Sequence, residues 1–315
     1  MRFLVVGADA IGGYFGARLL EAGREVTFLV RPRRAAELAK TGLVIRSRCG
    51  DMDLPAPPTV TADALHQPFD LVLLSCKAYD LDDAMASFAP AVGPQTAILP
   101  LLNGMHHLDA LEARFGAERV LGGQCLISAV LDPDGRIVHL SDSHTLSFGE
   151  RDGSHSARVE AIASLLLGTR FEARLSEAIL QDMWEKWVFI ATGAGITSLM
   201  RATIGDVVAV GAAEPATNLF EECAVIATAQ GFPPCPELLE QTRLMFTEPG
   251  SPLTASVLGD IERGAPIKAD HILGDLLRRG GANKNACSLL DIAFAHAKAY
   301  EARRARTQTV TSKAA

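Results

Sequence analysis

The chain has 315 residues, of which 48% are hydrophobic and 21% are charged, and its formal net charge is −7. This composition is that of a globular protein with a substantial core, and it excludes a disordered or fibrous chain. The net negative charge gives no overall attraction to nucleic acid or to an anionic membrane. The length predicts about two domains.

The six cysteines carry no metal-site or disulfide signature. None of them belongs to a C-x-x-C pair, so their spacing predicts neither a zinc site nor a disulfide framework and favours a reducing compartment. The apolar run after Arg2 is too short for a signal peptide. The 14 weakly polar residues 187–200 fall short of the roughly 20 that span a bilayer. The sequence therefore predicts a cytoplasmic protein.

The N-terminal segment predicts a strand, a turn, a helix and a second strand. Residues 3–6 form a continuous apolar run, as expected for a strand that is covered on both faces. Ile11, Phe15 and Leu19 then recur at four-residue spacing on one helix face, and residues 25–30 have the composition of the next strand. Together these segments make a βαβ unit.

Further segments predict more strands of the same domain. Apolar runs at 43–45, 71–74 and 97–99 alternate with helical or turn-rich segments, and residues 137–148 are predicted to add one or two strands that close the sheet. We therefore predict an α/β protein in which residues 1–170 form a Rossmann-type, doubly wound sheet that binds a dinucleotide.

A helical second domain is predicted to follow. From about residue 155 onward, Ala and Leu patterns with a period of 3.6 dominate, with a long helix beginning near Ser176 and another near Glu237. We expect residues 171–305 to form an all-helical domain for substrate binding or dimerisation. Residues 306–315 are expected to be a frayed tail.

The turn after the first strand occupies the place of a G-x-G-x-x-G dinucleotide fingerprint. It consists of Gly7, Ala8, Asp9, Ala10, Ile11 and Gly12. The first glycine permits the tight turn, the last lets the helix pack on the strand, and the helix N-terminus attracts a pyrophosphate. Asp9 replaces the middle glycine and brings negative charge toward the phosphates. An ordinary glycine-containing βαβ turn therefore remains the alternative.

Basic residues follow the second predicted strand. NAD-specific folds place an acidic residue there to bind the ribose 2′-hydroxyl, whereas this chain has Arg31, with Arg33 and Arg34 just after it. Three guanidinium groups suit a 2′-phosphate, so the sequence predicts NADP(H) rather than NAD(H). A solvated basic turn is the alternative interpretation.

Five short motifs occur in a fixed order along the chain. They are Gly7-x-x-x-x-Gly12-Gly13, Ser75-Cys76-Lys77-Ala78, Asn103-Gly104-Met105, Trp184-Glu185-Lys186, and Ser256-x-x-x-Asp260-Ile261 followed by Asp270. In this order and at these separations, the chain resembles the ketopantoate reductases (2-dehydropantoate 2-reductases) over nearly its whole length.

The resemblance implies an NADPH-dependent reduction of a 2-oxo acid to a 2-hydroxy acid, which serves pantothenate synthesis in the best-known members. It implies that Lys186 is the catalytic acid and that Asn103 lies near the nicotinamide and the substrate. It also implies that Lys77 borders the cofactor and that Ser256 contacts the substrate carboxylate. Ser128 falls near a backbone contact to the cofactor.

Four positions depart from the family pattern. Three asparagines that bind substrate in the family are Ile190, Ala194 and Ile204 here, and a glutamate beside the nicotinamide ribose is replaced by Lys268. The resemblance therefore implies a drier substrate pocket, and a more apolar 2-oxo acid becomes an alternative to ketopantoate.

Each of the predicted site residues also has a purely structural interpretation. Lys186 could be a snorkelling helix lysine, Asn103 an Asn-Gly turn residue, and Ser256 a helix cap. The adjacent pair His106 and His107 has no carboxylate or cysteine at a metal-binding spacing, so we expect both side chains to be solvated.

Three functional hypotheses remain open at this stage. The first is a 2-oxo acid reductase of the ketopantoate type, and the second is a relative in the wider β-hydroxyacid and opine dehydrogenase group. The third is an NADP(H)-binding protein that has lost its chemistry. The expected ligand is a small 2-oxo acid, and we expect the protein to bind neither nucleic acid nor a membrane. The sequence is compatible with a monomer and with a homodimer.

Overall fold

The computed structural model describes residues 1–267, 269–281 and 288–314, with side chains up to residue 307. Within these ranges the chain divides into two compact units. The first comprises Met1–Leu102 and His107–Leu180, and the second comprises Asn103–His106 and Gln181–Ala315. Of the helices in the described ranges, none combines the length and the apolar composition that crossing a membrane requires.

The first unit contains ten strands and five helices within its described residues. The strands are β1 (Arg2–Val6), β2 (Glu25–Leu29), β3 (Leu43–Arg46), β4 (Met52–Leu54), β5 (Thr59–Val60), β6 (Phe69–Leu74), β7 (Val92–Pro100), β8 (Gly122–Leu131), β9 (Ile137–Gly149) and β10 (Glu172–Leu175). The helices are α1 (Ala10–Glu21), α2 (Pro32–Thr41), α3 (Leu81–Phe88), α4 (His106–Phe115) and α5 (Ala157–Leu166).

The first sheet is parallel throughout and confirms the predicted Rossmann-type fold. Its strand order is β5-β2-β1-β6-β7. Val5 of β1 pairs with Phe28 of β2 on one side and with Leu73 of β6 on the other. Successive connections leave β1 in opposite directions, so the carboxyl ends of β1 and β6 form the switch point where ligands of such sheets bind.

A second sheet has the order β10-β9-β3-β4, with β8 paired to β9. The strand predicted at 43–45 is β3, and it joins this sheet because Ile45 pairs with Ile137 rather than with the first sheet. The predicted strands at 137–148 are the single long strand β9. It forms an antiparallel hairpin with β8.

Helix α1 packs closely against residues of both sheets. A Cβ on Gly16 would lie 2.5 Å from the ring of Phe28 in the first sheet, and a Cβ on Gly13 would lie 2.5 Å from Ile137 in the second. The two glycines therefore allow an approach that any side chain would prevent.

The boundary of the first unit differs from the sequence prediction. The strand β10 pairs in parallel with β9 through Glu172 and Thr145, so the unit extends to Leu180 rather than ending at residue 170. The long helix then begins at Ile179 rather than near Ser176.

The second unit is helical over its described residues, as predicted. Its helices are α6 (Ile179–Met200), which starts in the first unit, α7 (Ile204–Ala209), α8 (Ala213–Ala229), α9 (Pro236–Thr247), α10 (Ser256–Glu262), α11 (Asp275–Gly280) and α12 (Leu289–Ala314). A π-helical turn, Asp270–Gly274, precedes α11. Helix α12 continues to Ala314, past residue 306, from which the sequence predicts a frayed tail.

Candidate functional site

The turn after β1 has the geometry that the dinucleotide fingerprint requires. Gly7 has a φ of +95°, a conformation that favours glycine, and its amide donates to the carbonyl oxygen of Leu29 at 3.0 Å. Helix α1 then begins at Ala10, so its first N–H groups face outward without acceptors in the helix.

Gly12 lies where this turn approaches the end of β6, and the space there leaves no room for a side chain. A Cβ on Gly12 would lie 2.1 Å from Oγ of Ser75 and 2.4 Å from the carbonyl oxygen of Gly7. Ser75 in turn donates its hydroxyl to the carbonyl oxygen of Val6 at 2.9 Å, which joins the ends of β1 and β6. The fingerprint and the Ser75 motif therefore form one cradle at the switch point, and this cradle fits a dinucleotide pyrophosphate.

Asp9 is accommodated in this cradle with its side chain turned to solvent. It precedes α1 in an extended conformation, and its side chain is 65% exposed. Its Oδ1 lies 3.9 Å from Nε of Arg34, so a guanidinium offsets part of the negative charge near the phosphate site.

The three arginines of the predicted 2′-phosphate site have different roles in the structure. Arg34 donates to the carbonyl oxygen of Ala8 through Nη2 at 2.9 Å and through Nε at 3.2 Å, so it supports the turn from within. Arg31 is 70% exposed and pairs with Asp80 at 2.8 Å, and Arg33 is 92% exposed. Hydrogen bonding and charge attraction from Asp80 raise the pKa of Arg31. Two of the three guanidinium groups therefore remain accessible to an anion.

The remaining predicted cofactor residues are spread along the first unit. Lys77 is exposed immediately beyond β6. Ser128 is exposed on β8, and its backbone N–H donates to Oγ of Ser141 at 3.0 Å. Lys268 lies outside the described residues.

In the second unit, the segment Asn103–His106 packs beside α6. Gly104 has a φ of +80°, and a Cβ there would lie 2.8 Å from the carbonyl oxygen of His271 and 3.7 Å from the ring of Trp187. The Trp187 indole donates to the carbonyl oxygen of Ile272 at 2.9 Å. The residue after Asn103 therefore lies against the turn of α6 that carries Lys186 and Trp187.

Four residues of α6, Lys186, Ile190, Ala194 and Thr197, differ in their burial. Lys186 and Ile190 are half-buried, whereas Ala194 and Thr197 are fully buried. The Thr197 hydroxyl oxygen accepts from the backbone N–H of Ala255 at 3.4 Å. This bond fixes the start of α10, which carries Ser256.

Ser256 itself is exposed and is the first residue of α10, and Ala255 is the N-cap residue. A Cβ on Gly193 would lie 3.9 Å from Cβ of Ala255. Gly193 follows Lys186 by seven residues, which is roughly 10 Å along a helix axis. The structure therefore places Ser256 about two helical turns beyond Lys186.

A histidine pair that the sequence did not predict lies beside Asn103. The rings of His106 and His271 have centroids 5.3 Å apart, and His271 lies in the π-helical turn. Burial, followed by the charge of His106, lowers the pKa of His271. The expectation that His106 and His107 are both solvated is wrong, because His107 is 2% exposed and packs in the first unit.

Family models match both units of the chain. A model described as ketopantoate reductase PanE/ApbA matches residues 3–153. A second, described as ketopantoate reductase PanE/ApbA C terminal, matches residues 178–301.

Three individual proteins are similar over nearly their full lengths. An uncharacterized oxidoreductase, YkpB, of Bacillus subtilis is 38% identical over 303 residues, which cover 96% of this chain and 99% of that protein. The crystal structure of 2-dehydropantoate 2-reductase from Geobacter metallireducens has a TM-score of 0.85 and 26% identity, with 95% and 99% of the two chains covered. The ternary structure of D-mandelate dehydrogenase with NADH and anilino(oxo)acetate shares the fold, with a TM-score of 0.85, 21% identity and coverage of 96% and 99%.

Proposed function

Because the chain belongs to the ketopantoate reductase family, we propose that it is a nicotinamide-dependent reductase that converts a 2-oxo acid into the 2-hydroxy acid. The enzyme class, an oxidoreductase of this family, follows from the comparisons. The cofactor form, the substrate and the residue roles below are proposals. A place in the cytoplasm is also proposed, and a place in pantothenate synthesis belongs to the second candidate substrate, ketopantoate.

The observation that carries the proposal is the packing of the Asn103–Gly104 segment on Trp187. It brings the residue at the end of β7 and the lysine of α6 into one compact unit, with Gly104 in contact with the residue after Lys186. A snorkelling surface lysine does not require the Asn103–Gly104 segment to be packed beside its helix turn. The arrangement therefore favours the catalytic interpretation of Lys186 and Asn103.

The chemistry assigned to these residues follows from the charge that develops in the reaction. A bound dihydronicotinamide supplies the hydride that adds to the carbonyl carbon. Negative charge then grows on the carbonyl oxygen, and the Lys186 ammonium donates a proton to it. Asn103 donates from its amide to orient the reacting groups, and the Ser256 hydroxyl donates to the substrate carboxylate.

NADP(H) is the proposed cofactor form. The turn residues Gly7 to Gly12 would hold the pyrophosphate, and the exposed guanidinium of Arg31, supported by Arg33, would bind the 2′-phosphate. Lys77 would lie beside the cofactor. The contact of Arg31 with Asp80 is the main competitor of a 2′-phosphate, and NADH in the structure of D-mandelate dehydrogenase makes NAD(H) the alternative.

A more apolar 2-oxo acid than ketopantoate is the proposed substrate. The side chains of Ile190, Ala194 and Ile204 have no polar atoms to offer a substrate. Ile190 is half-buried on the same helix as Lys186, whereas Ala194 and Ile204 are fully buried. The ligand anilino(oxo)acetate of D-mandelate dehydrogenase is a 2-oxo acid with an aromatic substituent, which supports this direction. Ketopantoate is the second candidate.

The test is the Lys186→Met variant in an NADPH oxidation assay with a panel of aliphatic, aromatic and hydroxylated 2-oxo acids. We expect kcat to fall by about 100-fold or more, because a general acid contributes roughly 10²–10⁴-fold, while NADPH binding measured by fluorescence is retained. Lys40→Met, at an exposed lysine of α2, serves as the matched control and should keep full activity.

Three outcomes discriminate among the functions. A Lys186→Met variant that keeps most of its kcat contradicts the role of the lysine. A wild-type protein that binds NADPH but oxidises it with none of the 2-oxo acids supports the non-catalytic binding protein. The best substrate of the panel separates a ketopantoate reductase from its more apolar relatives.

A further inference from the structure

One cysteine and two histidines of the first unit come together outside the site described above. One ligand atom of each of Cys49, His139 and His144 lies within 4.8 Å of the others. Cys49 lies in the turn between β3 and β4, and both histidines lie on β9. The cluster is half-buried, with His139 as its buried member.

An irregularity in β9 brings the two histidines to the same side of the sheet. In a regular strand, residues five apart point to opposite faces. Here Ile127 and Ala129 of β8 pair with His144 and His139, so the residues between the histidines bulge out of register. The two imidazole rings consequently stack, with centroids 5.5 Å apart and planes 27° from parallel.

We propose that Cys49, His139 and His144 bind a single Zn²⁺ ion, or a cation of similar softness, with a water molecule as the fourth ligand. A thiolate and two imidazoles are the ligand types that zinc prefers. Tetrahedral zinc with the usual bond lengths needs ligand atoms roughly 3.5 Å apart, so the cluster must contract by about 1 Å. The movement falls to Cys49, which lies in a tight turn closed by the hydrogen bond from Gly50 to Ser47 at 2.9 Å.

Both histidines have the hydrogen-bonded surroundings that metal ligands need. Nε2 of His139 donates to the carbonyl oxygen of Ser143 at 3.1 Å, which leaves Nδ1 as the ligating atom. Nδ1 accepts from Oγ of Ser47 at 2.9 Å, and this bond gives way to the metal. Nδ1 of His144 lies 2.7 Å from the Tyr14 hydroxyl, so in the ligating tautomer it donates there and presents Nε2. Such partners fix the orientation of ligating imidazoles.

The nearby charges are compatible with one divalent cation. The buried guanidinium of Arg18 hydrogen-bonds to the carbonyl oxygen of Gly50, next to Cys49, and its positive charge is an electrostatic cost of placing a cation there. Glu21 pairs with it at 2.9 Å and offsets most of that charge. The Cys49 thiolate then provides the anion that the metal requires.

The proposed ion would join the turn after β3 to β9 and, through Tyr14, to α1. It therefore stabilises the first unit and plays no part in hydride transfer, so it is independent of the proposed reductase activity. The sequence did not predict this site because the three residues have no C-x-x-C or H-x-x-x-H spacing. The register of β9 and its pairing with β3 bring them together.

The test uses the untagged full chain, stripped with a chelator and titrated with Co²⁺ and then with Zn²⁺. We expect one Co²⁺ per chain with a thiolate-to-metal charge-transfer band in the near ultraviolet, displacement by Zn²⁺, and a rise in Tm on adding Zn²⁺. Cys49→Ser should abolish the band and weaken binding by about 100-fold or more. His144→Phe, which keeps a stacked ring, should weaken binding similarly.

The control is Cys235→Ser at an exposed cysteine of the second unit, which should bind Co²⁺ as the wild type does. Metal-free Cys49→Ser should melt at the wild-type temperature, so that a folding defect is distinguishable from a lost ligand. A charge-transfer band that persists in Cys49→Ser, or its absence from the wild type at micromolar Co²⁺, would overturn the proposal.

Discussion

Gly12 shows how one residue joins the turn, the helix and the sheet of the proposed cofactor site. The Cβ of an alanine there would lie 2.1 Å from Oγ of Ser75 and 2.4 Å from the carbonyl oxygen of Gly7. The serine hydroxyl can rotate away, but the Gly7 carbonyl belongs to the backbone of the turn. We predict that Gly12→Ala lowers the free energy of unfolding by about 1–3 kcal/mol, the usual effect of overpacking. It should also weaken dinucleotide binding, because the N-terminus of α1 must move.

The measurement is urea unfolding followed by circular dichroism, together with NADPH titration. Gly193→Ala is the matched control, since Gly193 also lies inside a helix but its Cβ would meet its nearest neighbours at 3.7 Å or more. That control should be neutral or slightly stabilising, because alanine favours the helix. Equal effects of the two substitutions would contradict the packing argument.

The direction and burial of individual side chains could not be predicted from the sequence. The sequence does not distinguish the three neighbouring arginines from one another. In the structure, Arg34 donates to the Ala8 carbonyl, whereas Arg31 and Arg33 face solvent. The direction depends on where the turn after β1 lies in space. The two neighbouring histidines likewise differ in burial, because His107 is enclosed by the first unit.

At the scale of elements, a charged pair joins the end of β9 to the start of α5. Arg158 donates to Glu150 through Nε at 2.6 Å and through Nη2 at 2.5 Å, and the N-cap residue Ser156 donates to the same carboxylate at 2.5 Å. Glu150 is 8% exposed. Hydrogen bonds from Arg158, and to a smaller extent from Ser156, lower the pKa of Glu150. The charged form of Glu150 is therefore the one that the fold stabilises.

We predict that Glu150→Gln lowers the free energy of unfolding by roughly 1–3 kcal/mol at pH 7, because it removes the partner of a half-buried guanidinium. The pKa of Glu150 is lower in the folded state than in the unfolded state. The stabilisation is thus fully present above the unfolded value, about 4.3, and is lost as the pH falls through the folded value. The difference between wild type and variant should shrink accordingly in urea titrations at decreasing pH.

Glu177→Gln provides the control for this pair. Glu177 is 77% exposed, and its ion pair in the described part of the chain is with the exposed ring of His155. Its effect should stay within about 0.5 kcal/mol, as is usual for surface substitutions. A Glu150→Gln variant whose deficit is constant down to pH 3 would contradict the assigned pKa direction.

Elements were predictable where their pattern is local and hydrophobic. The strands β1, β6 and β7 contain apolar runs from which they were predicted, and β2 was predicted from its strand-like composition. By contrast, β10 (Glu172–Leu175) is only four residues long and alternates charged and apolar residues, and parallel pairing with β9 makes it a strand. The run at β3 was identified, but its sheet was not, because local periodicity does not specify which strand becomes the neighbour.

At the scale of the whole molecule, the order of elements determined the fold class and the motifs determined the family. The grouping of Asn103–His106 with the second unit was not predictable, because it depends on the Trp187 and His271 contacts of Gly104. These contacts join residues far apart in the chain, and one of them lies in a π-helical turn that has no sequence signature.

The net charge of −7 leads to a prediction about cofactor choice. The global field repels NADPH more than NADH, because only NADPH carries the 2′-phosphate, but the exposed Arg31 and Arg33 lie much closer to the proposed position of that phosphate. We therefore expect the local attraction to dominate the salt dependence of the ratio KM(NADPH)/KM(NADH). Raising the ionic strength from about 0.01 M to about 0.15 M shortens the Debye length from about 30 Å to about 8 Å. We predict that the ratio rises several-fold over this range, as measured by initial rates with either cofactor.

The Arg31→Ala variant should have a higher ratio at low salt and little further dependence on salt, because the screened attraction is already gone. Arg243→Ala, at a partly exposed arginine of the second unit that pairs with Glu221, should behave as the wild type. A ratio that is independent of salt in the wild type, or equal in wild type and Arg31→Ala, would contradict a 2′-phosphate site at Arg31. In that case the pair of Arg31 with Asp80 would be a structural contact within the first unit, and the preference for NADP(H) would fail with it.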